Sequence, residues 1–228
     1  MSAPAKLPEP HIGTLNEGSL HAALKDWYAQ PGDSFEVPLH GFVIDICRAD
    51  LLIEIQTGSF GAMGRKLDVL LEEHRMLLVY PVAVGTWLNR PRAKPRKSPK
   101  RQSVYSLFDE LVSVPTLVDH PNLTLDVVEV EVDKHQQHDP GARRGRGGYR
   151  TVDRSLRSVV ERHRFASVDD LCRLIPDDLP EEFTTADLAA AGNFGRDVAQ
   201  RMAYCFRPLG VFEQLKRTKA GYVYRRAT

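Results

Sequence analysis

No apolar run in this 228-residue chain approaches the roughly 18 residues that a membrane-crossing helix needs. No membrane-crossing helix is expected within it, and no membrane partner. The three cysteines, Cys47, Cys172 and Cys205, are too scattered for a zinc ribbon or a disulfide framework. A reducing cytoplasm is the expected compartment. The opening MSAPAKLPEP lacks the apolar core of a signal peptide, so residues 1–13 are expected to be a flexible tail. There is no internal repeat of solenoid or propeller length. A large net charge is also missing: the formal total is +1.

That small total conceals clustering. Residues 90–102 hold seven Lys or Arg and no acid, and RRGRGGYR at 143–150 adds four arginines. Residues 196–228 hold eight basic residues against Asp197 and Glu213, whereas VDDLCRLIPDDLPEE is acidic. Grouped positive charge in a neutral chain suits a polyanionic partner, although solvated loops produce the same pattern.

Periodicity predicts an α/β first part. Leu20, Ala23, Leu24 and Trp27 recur at helical spacing within 14–30, with Thr14 or Asn16 as cap and Pro31-Gly32 as stop. Three Val/Ile/Phe-rich runs follow at 34–39, 41–48 and 51–57. Residues 62–75 form a second amphipathic pattern. The continuous apolar run 76–84 suits a strand covered on both faces. The basic 90–102 is expected to be a loop, 106–120 a helix and 123–135 a strand. Domain limits are set at 14–140 and 151–228, joined by a Gly/Arg-rich linker over 141–150. In the second part, 152–165, 167–176, 183–192 and 195–210 are expected as helices. Two strands around Lys-Ala-Gly close the chain, an order that suits a smaller, mainly helical winged-helix-like domain.

The segment VIDICRADLLIEIQTG carries the chemistry. A carboxylate in an apolar strand is costly unless partnered. Glu54 and Gln56 project from one strand face. If Cys47 pairs with Leu52, Asp45 stands opposite Glu54; if Cys47 pairs with Leu51, it stands opposite Ile53 on the wrong face. Two carboxylates at one point repel unless a cation lies between them. Hard oxygen donors with room for water suit Mg²⁺, with Mn²⁺ as a substitute. Such an ion activates water and offsets charge on a phosphate.

These residues resemble the PD-(D/E)XK nuclease superfamily: an acid in one strand, an acid-x-Lys in the next, then a helix. Ile44-Asp45 stands for the first part and Glu54-Ile55-Gln56 for the second. The resemblance covers roughly residues 14–85. It implies a restriction-endonuclease-like core, a central mixed sheet flanked by helices, with Asp45 and Glu54 as metal ligands. Glu17 resembles the extra acid that several members carry in the opening helix. The chain departs from the pattern in lacking proline before Asp45 and in having Gln56 where lysine is usual, a catalytic residue whose amide is expected to orient the attacking water but supplies no positive charge. Lys66, or Arg65 beside it, is placed to supply that charge from the following helix. Plainer readings stand alongside: Asp45 paired with Arg48 or Arg65, Gln56 as a strand-end polar residue, and Lys66 and Glu17 as ordinary helix residues. His135 and His138 read as solvated.

The resemblance implies metal-dependent hydrolysis of DNA phosphodiesters. Two alternatives are a nuclease-derived DNA-binding or regulatory protein without turnover, and a winged helix facing another protein. RNA as substrate and a homodimer stay open. Expected phosphate contacts are Lys94, Arg96, Lys97 and Lys100 in the basic loop and Lys216, Arg217 and Lys219 in the wing. Arg196, Gln200 and Arg201 are the expected groove contacts. Tyr204 and Phe206 are expected in the core.

Overall fold

A computed structural model describes residues 18–141, 148–219 and 221–227. Its main body is a large mixed sheet flanked by helices, an α/β arrangement.

Helix α1 (Ser19–Tyr28) buries Leu20, Leu24 and Tyr28, which recur every four residues along one face. Trp27 departs from the expected apolar face: it is 47% exposed and meets Tyr28 edge-on. The caps expected at Thr14 and Asn16 lie outside the described residues. Strands β1 (Ser34–Leu39), β2 (Phe42–Arg48) and β3 (Leu51–Ile55) form an antiparallel meander. The β1–β2 turn is tight because His40 and Gly41 both take positive φ, 49° and 80°, the conformation that two-residue hairpin loops require. Helix α2 (Gly64–Leu71) buries Leu67, Leu70 and Leu71 and leads into β4 (Arg75–Asn89), which runs parallel to β3. Met76 through Tyr80 are all buried, as a strand covered on both faces demands.

β4 outruns β3. Gln56 N–H bonds Val79 O at 2.8 Å, and β3 stops there. Further along the same edge Gln102 N–H bonds Ala83 O and Ser98 N–H bonds Thr86 O. A two-residue strand β5 (Arg96–Lys97) then pairs with Leu88 and Trp87. The basic segment expected as a loop is therefore partly a ladder, continuing the line of β3 along β4.

The helix expected over 106–120 is broken. Only α3 (Leu107–Leu111) is α-helical, flanked by 3-10 turns at 104–106 and 117–119. Pro115, which has no N–H and a fixed φ, falls within the expected span. Strand β6 (Leu123–His138) is parallel to β4 and antiparallel to β7 (Tyr149–Phe165), giving the order β1-β2-β3-β4-β6-β7.

β7 corrects the helix expected over 152–165. Its register against β6 shifts three times. Val130 and Val132, two apart on β6, face Val159 and Leu156, three apart on β7. An inserted residue thus turns a strand's period of two into three, which reads as helical in sequence. Of the expected linker, 142–147 lie outside the described residues. The rest sits at the tip of the β6–β7 hairpin, where Asp139 N–H bonds Gly148 O at 2.8 Å. The sheet ends only at Phe165, so the expected boundary at 141–150 moves about twenty residues on.

The remaining elements are α4 (Val168–Cys172), β8 (Glu182–Thr184), α5 (Thr185–Ala191), α6 (Arg196–Phe206), β9 (Phe212–Thr218) and β10 (Gly221–Arg226). Ser167 caps α4 by accepting the Asp170 N–H, and Thr184 forms a capping box with Asp187 on α5. The second sheet has the order β8-β10-β9. Phe206 packs against Phe108 of α3 at 5.5 Å and Phe212 at 5.0 Å, so one apolar core spans both parts of the chain.

Candidate functional site

The β2–β3 ladder pairs Arg48 with Leu51, Cys47 with Leu52 and Ile46 with Ile53. This is the register that directs Asp45 to Glu54, but the ladder does not continue to that pair. Instead, Ile55 N–H donates to Asp45 Oδ2 at 2.8 Å, so a side-chain oxygen takes the place of a backbone carbonyl. Alternation breaks at the same point. Ile44 joins the core beneath α2 whereas Ile46 joins the core beneath α1. Asp45 therefore lies where the chain changes face, and it is approached from both layers.

From the α1 side, His21 Nε2 lies 3.1 Å from Asp45 Oδ2. From the α2 side, Lys66 Nζ donates to Glu54 Oε1 and, at 2.7 Å, to Val43 O of β2. Asp45 and Glu54 are 8% and 9% exposed, too buried for their charge to be left to solvent. Burial raises the Asp45 pKa, but the His21 bond, the Ile55 N–H and the nearby Lys25 outweigh it and hold the acid below its usual value. Glu54 moves the opposite way. Burial first, and then the Asp45 charge, push it up to about 6 against the pull of Lys66. Among the described residues its second oxygen, Oε2, is buried without a hydrogen bond of good geometry, although the Asp45 N–H also favours the ionised carboxylate.

That orphaned oxygen bears on whether a divalent cation fits. Its neighbour is a second carboxylate held ionised, and both offer hard oxygen donors. An ion of the Mg²⁺ type would satisfy Oε2 and relieve the repulsion that raises Glu54. The donor set fits.

Of the residues singled out in the sequence, Asp45, Glu54 and Lys66 come together, and Lys66 is an ion-pair partner of Glu54 and not a solvated residue. Arg65 is exposed. Arg48 is not the partner of Asp45; it is held by Asp33 at 2.8 Å. Gln56 is half-buried one residue beyond the strand, and its amide donates to Ser59 O at 2.7 Å. Glu17 lies outside the described residues. Sequence reading missed His21. Its only signal was a position beside Leu20 and Leu24, on the flank of the buried stripe. It also missed Arg154, whose Nη2 reaches Thr57 O at 3.4 Å from β7. His21, Thr57, Asp153 and Arg154 line an open cavity of about 220 Å³.

Among the basic residues, Lys94, Arg96, Lys97 and Lys100 are exposed, and Lys97 lies over the Trp87 ring at 4.6 Å. In register, Arg96, Leu88, Lys134 and Arg154 form one row across four strands. Burial, Arg154 and Lys100 together lower the Lys134 pKa. Arg196 and Gln200 are exposed on α6, but Arg201 is engaged by Asp109 at 2.7 Å and Asp197 at 2.8 Å. Lys216 pairs with Glu182 at 3.1 Å, Arg217 lies over Tyr222, and Lys219 is exposed in the turn. Tyr204, expected in the core, is 52% exposed; Phe206 is buried.

These features describe an α/β protein with a buried acid pair flanked by lysine and histidine. The chain belongs to the family described as Domain of unknown function (DUF8091), matched over residues 18–166. That match ends one residue past the end of β7. The chain is also 34% identical over 190 residues to an uncharacterized protein of Treponema pallidum (strain Nichols), covering 79% of this chain and 74% of that protein. No solved structure matches.

Proposed function

We propose that the chain is a metal-dependent nuclease acting on DNA, with a restriction-endonuclease-like core and a winged-helix-like C-terminal part. The observation that carries this reading is the buried Glu54 Oε2 beside an ionised Asp45, with Lys66 on the other Glu54 oxygen. Lys66 balances one Glu54 oxygen and His21 faces Asp45, and a cation shared between the two acids would satisfy the oxygen left over.

Asp45 and Glu54 would hold the cation. When bound, that ion supplies an activated water and charge stabilisation for the phosphate. His21 and Ile55 N–H fix the Asp45 carboxylate. Lys66, anchored by Val43 O, sits where the motif's missing lysine charge is needed and opposes negative charge developing on a phosphate oxygen. Arg154, beside Thr57, lines a cavity with His21, the partner of Asp45, and is suited to a phosphate held there.

Support for a nucleic-acid substrate comes from the basic segment. Arg96 to Gln102 continue the line of β3 along β4, so a backbone held there runs toward Glu54. Support for the winged-helix reading is the order α4, β8, α5, α6, β9, β10, with β10 between β8 and β9. Arg196 and Gln200 remain groove contacts in this reading. Arg201, tied to two acids, is instead a brace between α6 and α3.

The test is plasmid cleavage with Mg²⁺ or Mn²⁺, repeated with Asp45→Ala. Metal-dependent cleavage lost in the variant is expected. A second reading, DNA binding without turnover, is favoured by one observation: the Gln56 amide is committed to Ser59 O. Metal and DNA binding with no cleavage would select it.

A further inference from the structure

A second group of ligand-type side chains lies away from the acid pair. His40, Glu73 and His74 each offer one ligand atom, and the three atoms lie within 4.8 Å of one another. His40 Nε2 is 3.8 Å from Glu73 Oε2, and the two imidazole rings are tilted with centroids 5.7 Å apart. His74 Nε2 is shielded from solvent and has no hydrogen-bond partner among the described residues. A shielded ring nitrogen normally has one.

The backbone presents these groups firmly. His40 occupies the β1–β2 turn at φ 49°, an uncommon conformation for a residue with a Cβ. His74 N–H bonds Leu70 O at 2.9 Å in the last turn after α2, and β4 begins at the next residue. Two imidazoles and one carboxylate are a borderline donor set. Imidazole favours Zn²⁺ and its neighbours in the transition series, while Mg²⁺ and Ca²⁺ prefer all-oxygen sets. Three protein ligands leave the remaining position to solvent, which suits the exposed side of the group.

We propose that His40, Glu73 and His74 bind a zinc-type transition-metal cation, separate from any ion held by Asp45 and Glu54. The cation would join the tip of the β1–β2 hairpin to the connection between α2 and β4. The hairpin carries Asp45 and α2 carries Lys66, so the cross-link would steady both sides of the acid pair from outside it. The proposal does not depend on the nuclease reading.

The test uses the full-length, metal-stripped protein with Mg²⁺ in excess to occupy all-oxygen sites. Zn²⁺ is titrated by calorimetry and Co²⁺ by visible absorption. One equivalent should bind, with Co²⁺ bands typical of nitrogen ligation and a higher Tm. His40→Asn, which tolerates positive φ, and His74→Gln should each weaken Zn²⁺ by more than about 100-fold, beyond the roughly 10–100-fold that loss of an outer-shell partner costs. Asp45→Ala should leave Zn²⁺ uptake unchanged. Co²⁺-induced shifts of the His40 and His74 ring signals in the unmutated protein give a readout that needs no variant. Absence of Zn²⁺ uptake would overturn the proposal. So would uptake that survives in both folded histidine variants, or uptake lost in Asp45→Ala.

Discussion

At Glu54 the raised pKa has a defined cost. Its ordinary value is 4.5 and its value in the fold is about 6. Between these, the folded chain keeps a proton that the unfolded chain has released. Glu54 therefore lowers stability progressively as pH rises through that window, by about 2 kcal/mol in all. Asp45 has the opposite sign: its contribution is present above the ordinary carboxylate value and is lost as pH falls through its depressed folded value. Glu54→Gln should thus gain on the unmutated, metal-free protein between pH 4.5 and 7, as measured by thermal melts. A stability difference independent of pH would refute this account. At neutral pH, calorimetry should find no Mn²⁺ binding at the pair in Asp45→Ala or Glu54→Ala, since one carboxylate offers too little charge to dehydrate the ion.

Among the elements, the basic segment along β4 makes the clearest prediction. Neutralising Lys94, Arg96, Lys97 and Lys100 together should weaken DNA binding about equally for unrelated sequences. It should flatten the salt dependence by up to roughly 0.9 log units for each phosphate that is no longer neutralised. An unchanged slope in salt titrations would show that the segment is solvated decoration. The same elements mark what sequence could and could not tell. The strands carrying Asp45 and Glu54 were legible because their apolar runs are short and bounded by turns. Their register was not, because pairings one residue apart satisfy the same hydrophobic pattern. β7 was misread since inserted residues on one strand alter only its own periodicity, and the partner that explains them is β6. Tyr204 was misread because helical spacing cannot say which flank of α6 a neighbour covers. His21 was invisible as a site residue because its role depends on how α1 crosses β2.

For the whole molecule, the shared core carries an expectation about cooperativity. Phe206 has no exposure and touches Phe108 and Phe212, bridging the large sheet and the C-terminal elements. Phe206→Ala should cost about 3–5 kcal/mol. The unmutated chain should melt in one calorimetric transition, whereas two separated transitions would show that the parts fold independently. A second tie runs through the opposite layer. Asp126 is fully buried, accepts from Tyr28 Oη at 2.9 Å and is clasped by Arg164 at 2.8 Å, fixing α1 against β6 and β7. Asp126→Ala, which strands those donors, should loosen α1 and with it the support His21 gives Asp45. Faster hydrogen exchange along Ser19–Tyr28 is the measurement.

The bond from Ile55 N–H to Asp45 Oδ2 separates two properties that a buried acid usually confounds. An asparagine at that position still presents an oxygen to the amide, so the strand junction is preserved while the charge disappears. Asp and Asn codons differ by a single nucleotide. On the proposed reading, a lineage carrying this scaffold stands one point mutation from a folded form that would no longer gather a cation. The reverse step is equally short. If the proposed activity holds, its loss and recovery would leave the architecture untouched, without any trace in overall shape.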